Sequence, residues 1–487
     1  MKKGVRSRFE KSMDELALKF SSSMDDDRNI FYYDILVDLA HVLGLYHTGV
    51  LYREDASEIV EGLLRIRDEG FENLSKDYED VHEAIEARLI ELTEKGAKMH
   101  TGRSRNDEVA TCLRLFARDR MLSILFRLIE LRSVVLDLAV KHLDSLIPGF
   151  THMQYAQPNR LAHHLLAYHD ALKRDFDRIL DSFWRVNLSP LGGSAFASTS
   201  FKLDRDFTAN LLGFDGIVEN SMDAVASRDF LIEAVFDCSS LMLNLSRICE
   251  ELILWSSEFN FVELSDELSS TSSIMPQKKN PDIAELIRAR AARVCGNLNS
   301  AMMIYKAMPY AYNRDFQEMN PLLYFSLESA EVCTILVARM LESAKFRTGV
   351  MKEKISKGFL TATEIADMLV QKANIPFRVA HRIVGWLAMN GRTDPTLNDL
   401  VEAVKEVAEE YLDNLDISEE DLNQAKNAVN ALERRKNRGS PSREEVEKMI
   451  NSRIEALNKD YRKVDEIADR ISASLEKLYS LVSELVT

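Results

Sequence analysis

The chain has 487 residues, with 18 glycines, 10 prolines and five cysteines, and its 62 Lys and Arg stand against 78 Asp and Glu for a formal net charge of −16. Glycine and proline together are about half as frequent as in average chains, which excludes turn-rich architectures such as β-sandwiches, propellers and Rossmann folds and points to long helices. The acidic balance excludes a general attraction to nucleic acid or to an anionic membrane, while leaving room for a local basic pocket.

Hydrophobic residues make up 46 % of the chain, enough for a large core. The length suggests about three domains of ~150 residues. Cys112, Cys238, Cys249, Cys295 and Cys333 contain no CxxC pair. That argues against a disulfide framework or a zinc site and for a reducing, cytoplasmic setting. The N-terminus, MKKGVRSRFE, is basic but no apolar stretch follows, so it does not read as a signal peptide. The most apolar stretch is read as MLSILFRLIELRSVVLDLAV, which is broken by Arg127, Glu130, Arg132 and Asp137. No run of about 18 apolar residues is expected, and no membrane span.

In chain order, residues 1–103 hold short helical patterns with polar breaks such as SSSMDDDRN. Four stretches free of Gly and Pro follow, at 103–147, 159–189, 217–275 and 322–348. A helix of about 45 residues would be ~68 Å long. Within the first, Leu113, Phe116, Met121, Leu125, Leu128, Leu131, Val135 and Leu138 recur at helical intervals and predict one buried stripe. The third is apolar on more than one side, as a helix inside a bundle or an oligomer would be. After residue 350 the chain is more charged, with turns at Asn390-Gly391 and Asp394-Pro395. Val464, Ile467, Ile471, Leu475, Leu478, Val482 and Leu485 form a heptad-like seam near the C-terminus. The expected fold is all-α, in three helical domains: residues 1–103, a central long-helix bundle over 104–350, and a small C-terminal domain over 351–487.

Three polar stretches sit at the ends of the long runs. HTGRSRND places Arg103, Ser104, Arg105, Asn106 and Asp107 just before a helix. A guanidinium fork, neutral donors and a helix N-terminus suit a carboxylate. The same residues also suit a plain N-cap, with Ser104 or Asp107 capping and the arginines solvated. THMQYAQP offers His152, an acid, base or carboxylate ligand, between donors Gln154 and Gln157; an ordinary turn is the competing reading. His163, His164 and His169 lie at helical spacing with no carboxylate cluster, which favours packing over metal binding. STSSIMPQKKNPD combines serines, a Met-Pro turn, two lysines and Asn-Pro. Asn280 and Pro281 suit a helix start. Capping needs neither the serines nor the lysines, whereas ionising a serine needs the positive potential that Lys278 would supply. No P-loop, GxGxxG, HExxH or GxSxG motif is present.

With these stretches, the chain resembles the fumarase/aspartase superfamily, through SSIMPQKKNPD, and within it the argininosuccinate lyase family, through HTGRSRND and THMQYAQP. EDVHEAIE, SMDAVASRDF, AYNRDFQE and GFLTATEIADMLV look like the same family. The resemblance spans residues 20–450, and the terminal seam looks longer than is usual. It implies a homotetramer with a twenty-helix core and active sites built from three subunits. It further implies reversible cleavage of argininosuccinate to arginine and fumarate, without cofactor or metal. By the same resemblance, Ser272 is the general base on a closing loop, and Lys278 and Asn280 stabilise the developing dianion. His152 is the acid or electrostatic partner, coupled to Glu285. Thr151, Ser104, Arg105 and Asn106 bind the fumarate-side carboxylates, with His82 nearby. Ser23, Asp27, Tyr312, Arg314 and Gln317 hold the arginine part, and Arg228 supports the site. Thr271 stands where Gly is common and Arg314 where Lys is frequent. Adenylosuccinate lyase, fumarase and aspartase activity, or a crystallin-like structural role, are the alternatives; retention of Ser272, Lys278, Asn280, His152 and Glu285 argues against the last.

Overall fold

The structure, a computed structural model, describes residues 13–487. The basic N-terminal stretch read above lies outside the described residues. After two short helical segments, Glu15–Ser21 and Met24–Asp27, come three longer helices: α1 (Phe31–His47), α2 (Arg53–Glu69) and α3 (Val81–Leu92). In α2 the spacing of Ile59, Leu63 and Ile66 buries one face, and its other side is charged. In α1 burial continues almost all round from Asp34 to Leu45 and takes in Asp34, Asp38 and His41.

The central bundle consists of α4 (Arg105–Lys141), α5 (Leu161–Val186), α6 (Asp229–Ser256), α7 (Asp282–Tyr305) and α8 (Asn320–Ser343). Every residue of the stripe expected in α4 is buried. The runs without Gly and Pro are not single helices, however. The first gives 37 helical residues and then a strand. The third splits into Ser221–Ala226 and α6, because Ser227 is extended and opens a corner. Absence of helix breakers permits a helix but does not compel one.

THMQYAQP is part of a β-hairpin, with Leu146–Thr151 antiparallel to Gln154–Arg160. Pro148 and Pro158 face one another across it, and prolines are costly inside a helix. The register shifts between Pro148 and Phe150. Gly149 is required there, since a Cβ would lie 2.7 Å from the Gln157 carbonyl oxygen. His152 and Met153 form the turn, both with positive φ.

Beyond the bundle, α9 (Ala362–Ala373), α10 (Phe377–Met389) and α11 (Leu397–Ala408) surround a separate small core. The longest helix is α12 (Arg443–Val486), with 44 residues. Its seam is buried at Val464, Ile467, Ile471, Leu478, Val482 and Leu485. This seam packs into the main core, together with α1, α2 and the bundle, and not into the small C-terminal one. Among the described residues the helical segment Arg314–Ser343, and not the stretch beginning at Met121, is the one long and apolar enough by composition to cross a membrane, although Glu328 and Glu331 interrupt its apolar run. Half of its apolar window is buried, and α8 within it packs against α4, α6 and α7. The five cysteines are free thiols, four of them buried.

Two close ion pairs pin α12 to the bundle, Arg453 with Asp170 of α5 at 2.6 Å and a more deeply buried one. Arg132 of α4 is fully buried, 2.8 Å from Asp460 and with its guanidinium 5.2 Å from the Phe176 ring centre. Removing one partner of such a pair leaves an uncompensated charge. Asp460→Ala is expected to cost about 3–5 kcal/mol, read as a fall in thermal midpoint. Arg132→Met with Asp460→Leu is expected to restore most of it; a double variant no better than the single one would contradict this account.

Candidate active site

The first polar stretch starts α4. Ser104 is the N-cap: its Oγ accepts the Asn106 N–H at 3.3 Å, and Asp107 accepts the Ser104 N–H at 3.0 Å. The capping reading is therefore correct for Ser104. The accompanying idea of solvated arginines is not. Arg103 is completely buried, 2.6 Å from Asp38 and 2.8 Å from Glu108. Arg105 is three-quarters covered, 3.2 Å from Asp80 and 3.7 Å from Glu83. Asp107 also accepts from the N–H groups of Gly192 (2.9 Å) and Ser194 (2.8 Å), and Asn106 donates to the Ala195 carbonyl at 3.0 Å. The small-residue loop after α5 is thus tied to the start of α4.

Residues 79–83 connect this start to the other predicted groups. The Val81 N–H donates to Asp27 at 3.2 Å, and the Ser23 hydroxyl donates to the same carboxylate oxygen at 2.7 Å. His82 lies with Nδ1 2.8 Å from Asp34 and 3.8 Å from Glu108. Arg314 reaches Glu79 at 3.2 Å and donates to the Ser21 carbonyl at 2.6 Å; Gln317 donates to the same carbonyl at 3.1 Å. Tyr312 stands within electrostatic reach of Arg228, Arg314, Asp80 and Asp27. Arg228 is buried without a carboxylate partner among the described residues. It donates to the Ser227 carbonyl at 2.8 Å and lies over Phe316 at 4.8 Å. Burial lowers it to about 10.

One chain does not bring all the predicted residues together. Thr151 and His152 are exposed at the hairpin tip, and Glu285 is exposed on the first turn of α7. No ion pair joins His152 to Glu285 among the described residues of a single chain. Ser272 and Lys278 belong to a loop whose base is a two-residue strand pair, Ser270–Thr271 with Lys279–Asn280. Ser272 Oγ accepts N–H bonds from Met275 (3.0 Å) and Ile274 (3.4 Å). Lys278 is exposed, whereas Lys279 is paired with Asp266 at 2.6 Å. Asn280 does not cap α7: the N-cap is Pro281, and the Asn280 amide donates to Ser270 at 3.4 Å.

Sequence reasoning missed the buried ionic cluster of Asp34, Asp38, Arg103 and Glu108 beneath His82. Its signal was present as two acids four residues apart on an otherwise apolar helix, FYYDILVDLAHV. Burial pushes Asp38 up to about 7 against the pull of Arg103. Burial also drives Glu108 well above the ordinary range. In Asp34 the cations His82 and Arg103 outweigh burial and hold the carboxyl low. Asp34, His82 and Cys112, and likewise Asp34, Asp38 and Glu108, place donor atoms within 4.8 Å of one another, close enough for a cation. Arg103 and His82 already put two positive groups there. Of the three histidines at helical spacing on α5, His163 lies 3.0 Å from the Gly439 carbonyl, while His164 lies 2.7 Å from Glu251 and His169 3.3 Å from Asp170, so two of them do have a carboxylate neighbour.

Burial raises Asp27 to about 6, despite its hydrogen bonds. The unfolded carboxyl titrates near 3.9, so the folded chain is penalised once pH passes that value, and fully above about 6. Asp27→Asn is expected to raise the thermal midpoint of the free protein at pH 7.5, by up to about 3 kcal/mol in stability. The gain should disappear below about pH 4, where both side chains are neutral. A midpoint difference independent of pH would refute the assignment.

The lyase family model matches residues 7–296, and the model described as argininosuccinate lyase C-terminal matches residues 359–433, around the small core. Argininosuccinate lyase from Archaeoglobus fulgidus is 54 % identical over 98 % of this chain and 98 % of its own. The corresponding protein of Methanosarcina acetivorans is 48 % identical over 98 % of both chains. These relatives match to nearly the full length, so the α12 segment is not an extension relative to them. A crystal structure of EDDS lyase in complex with formate superposes with a TM-score of 0.86 at 28 % identity, covering 98 % of this chain and 97 % of that one. By sequence over nearly its whole length, and by fold, the chain belongs to the argininosuccinate lyase family of carbon–nitrogen lyases.

Proposed function

We propose that the protein cleaves argininosuccinate reversibly to arginine and fumarate, without metal or cofactor, in arginine biosynthesis in the cytoplasm. The chemistry is a β-elimination. A proton leaves the carbon next to a carboxylate, and charge moves onto that carboxylate as an aci-carboxylate dianion. Rate enhancement requires a base at the proton, cations and donors where the charge develops, and a donor for the leaving nitrogen.

The observation that carries the reading is the environment of Ser272 within a chain so similar to argininosuccinate lyases. Two backbone N–H groups point at its Oγ. Donors to the charged form favour ionisation, which an alcohol acting as a base needs. Lys278, on the same loop and exposed, is available for the carboxylate carbon side, where the dianion forms. Asn280 adds a neutral donor. Arg105, Ser104, Asn106, Thr151 and His82 receive the carboxylates. Ser23, Asp27, Tyr312, Arg314, Gln317 and Arg228 hold or support the guanidino end. His152, coupled with Glu285, completes proton transfer at the leaving nitrogen.

Among the described residues of one chain no hydrogen bond or ion pair joins Thr151, His152, Ser272, Lys278 or Glu285 to the cluster at the start of α4, which supports assembly of each site from three subunits of a homotetramer; the superfamily is generally tetrameric. Apolar side chains left open on the bundle helices, among them Phe236 and Leu243 of α6, Leu286 and Met303 of α7 and Val332 of α8, are suited to a shared helical core. A division into domains at 103 and 350 fits the chemistry-bearing loops, with α12 returning to the main core.

With argininosuccinate, the purified protein is expected to release fumarate, followed by its ultraviolet absorbance, and to leave adenylosuccinate, malate and aspartate unreacted. Ser272→Ala is expected to lower kcat about 10²–10⁴-fold with an unchanged thermal midpoint and assembly. A Ser272→Ala protein with wild-type kcat would remove the proposed base, and a folded wild type releasing no fumarate at any pH would remove the function.

A further inference from the structure

His82 is nine-tenths buried, and its surroundings are charged on every side. From α1 it faces Asp34 and, further off, Asp38. From α4 it faces Glu108, with Arg103 behind. Asp27, Asp80 and His100 complete the groups within electrostatic reach. The partners are divided in a definite way. Arg103 engages Asp38 at 2.6 Å and Glu108 at 2.8 Å. Asp34 is left to His82, with Oδ2 2.8 Å from Nδ1. Its other oxygen, Oδ1, is fixed by the Cys112 thiol, which donates at 3.5 Å. The imidazole–carboxylate contact is an ion pair whose N–H lies off the line to the oxygen.

Asp34, Asp38 and Glu108 outnumber Arg103 and His82 by one charge. A buried cluster with an excess charge takes up a proton, and the acids facing Arg103 are the ones that rise. Asp34 stays ionised. Burial alone would neutralise His82, but Asp34 and then Glu108 outweigh it and hold the ring charged well above its ordinary range.

We infer that Asp34 is a positioning residue for the reaction: it clamps His82 through Nδ1 as a cation and turns Nε2 toward a carboxylate of the substrate. This rests on the reading that His82 lies with Ser104–Asn106 at the carboxylate end. Asp34 itself touches no substrate. A charged ring already oriented pays no reorganisation when the dicarboxylate arrives, and it offers a cation in a protein whose total charge is −16.

The experiment is the pH dependence of KM for argininosuccinate in the full-length wild type, Asp34→Asn and His82→Gln. Wild-type KM is expected to be flat from about pH 6 to 8.5. In Asp34→Asn the ring returns toward about 6.5 or below, so KM should climb at least about tenfold across that range while kcat changes less. His82→Gln should show a raised KM with no such pH dependence. An Asp34→Asn profile that superposes on wild type overturns the proposal, as does a wild-type KM in His82→Gln. If Asp34→Asn does not fold, His82→Gln decides alone by the same criterion. A wild type that releases no fumarate rejects the functional reading and leaves the clamp to thermal midpoints. Without the clamp the raised titration of His82 is lost, so Asp34→Asn should lose more at about pH 6 than at about pH 8.5; an equal loss at both overturns the clamp.

Discussion

The guanidinium of Arg103 sits entirely out of water between a carboxylate of α1 and a carboxylate of α4. Helix α1 and helix α4 meet where that charge is matched, and again at the Tyr33–Phe116 ring contact. A buried cation with one acid removed costs several kcal/mol, as much as a large core cavity. The contact therefore sets the register of the N-terminal helices against the bundle at one point. Ser104, Arg105, Asn106 and His82, expected at the carboxylate end, follow within a few residues of it or of its partners. Ser104 caps α4, Arg105 turns outward to Asp80, and Asp107 gathers the Gly192–Ser194 loop. Asp34 and His82 form the adjoining ion pair.

Apolar packing and polar placement are separate tasks in this fold. The long stripes of α4 and α12 bury aliphatic side chains in one continuous core that tolerates helical regularity. The groups proposed for the reaction occupy the places where regularity stops: an N-cap, a hairpin tip with two positive-φ residues, and a loop closed by a two-residue strand pair. Helix ends expose unpaired backbone N–H groups and a positive dipole. That is useful to a dicarboxylate, and it explains how an acidic protein presents cationic surfaces locally.

The legible part of the site was the part written in contiguous residues. HTGRSRND and SSIMPQKKNPD could be read because their residues act within one turn or one loop. Ser104 as an N-cap follows from local rules alone. Asn280 looked like a cap by the same rules, yet its amide turns to Ser270 and Pro281 takes the position. The strand pairing at the loop base prevails there over capping preference. The sequence offers a polar stretch around His152, with a turn as the competing reading, but not the hairpin at Leu146–Arg160, because its pairing is recognised through prolines and a glycine facing across strands, not through periodicity. For the cluster beneath His82 the sequence offers only the spacing of Asp34 and Asp38 on an apolar helix, which does not name their partners. Asp34, Asp38, His82 and Glu108 come from three helices, and their nearness is a product of packing.

The sequence by itself determined the helical class, the buried stripes, the positions of the three chemical segments and, through their resemblance, the family. These depend on interactions between residues a few positions apart, which the chain carries wherever it goes. Only the tertiary structure decided that Arg103 is buried and Arg105 is not, that α12 returns to the main core, and that Asp34 serves His82 while Asp38 and Glu108 serve Arg103. Those outcomes depend on which charges are removed from water together, and desolvation is set by the whole fold and not by any segment of it.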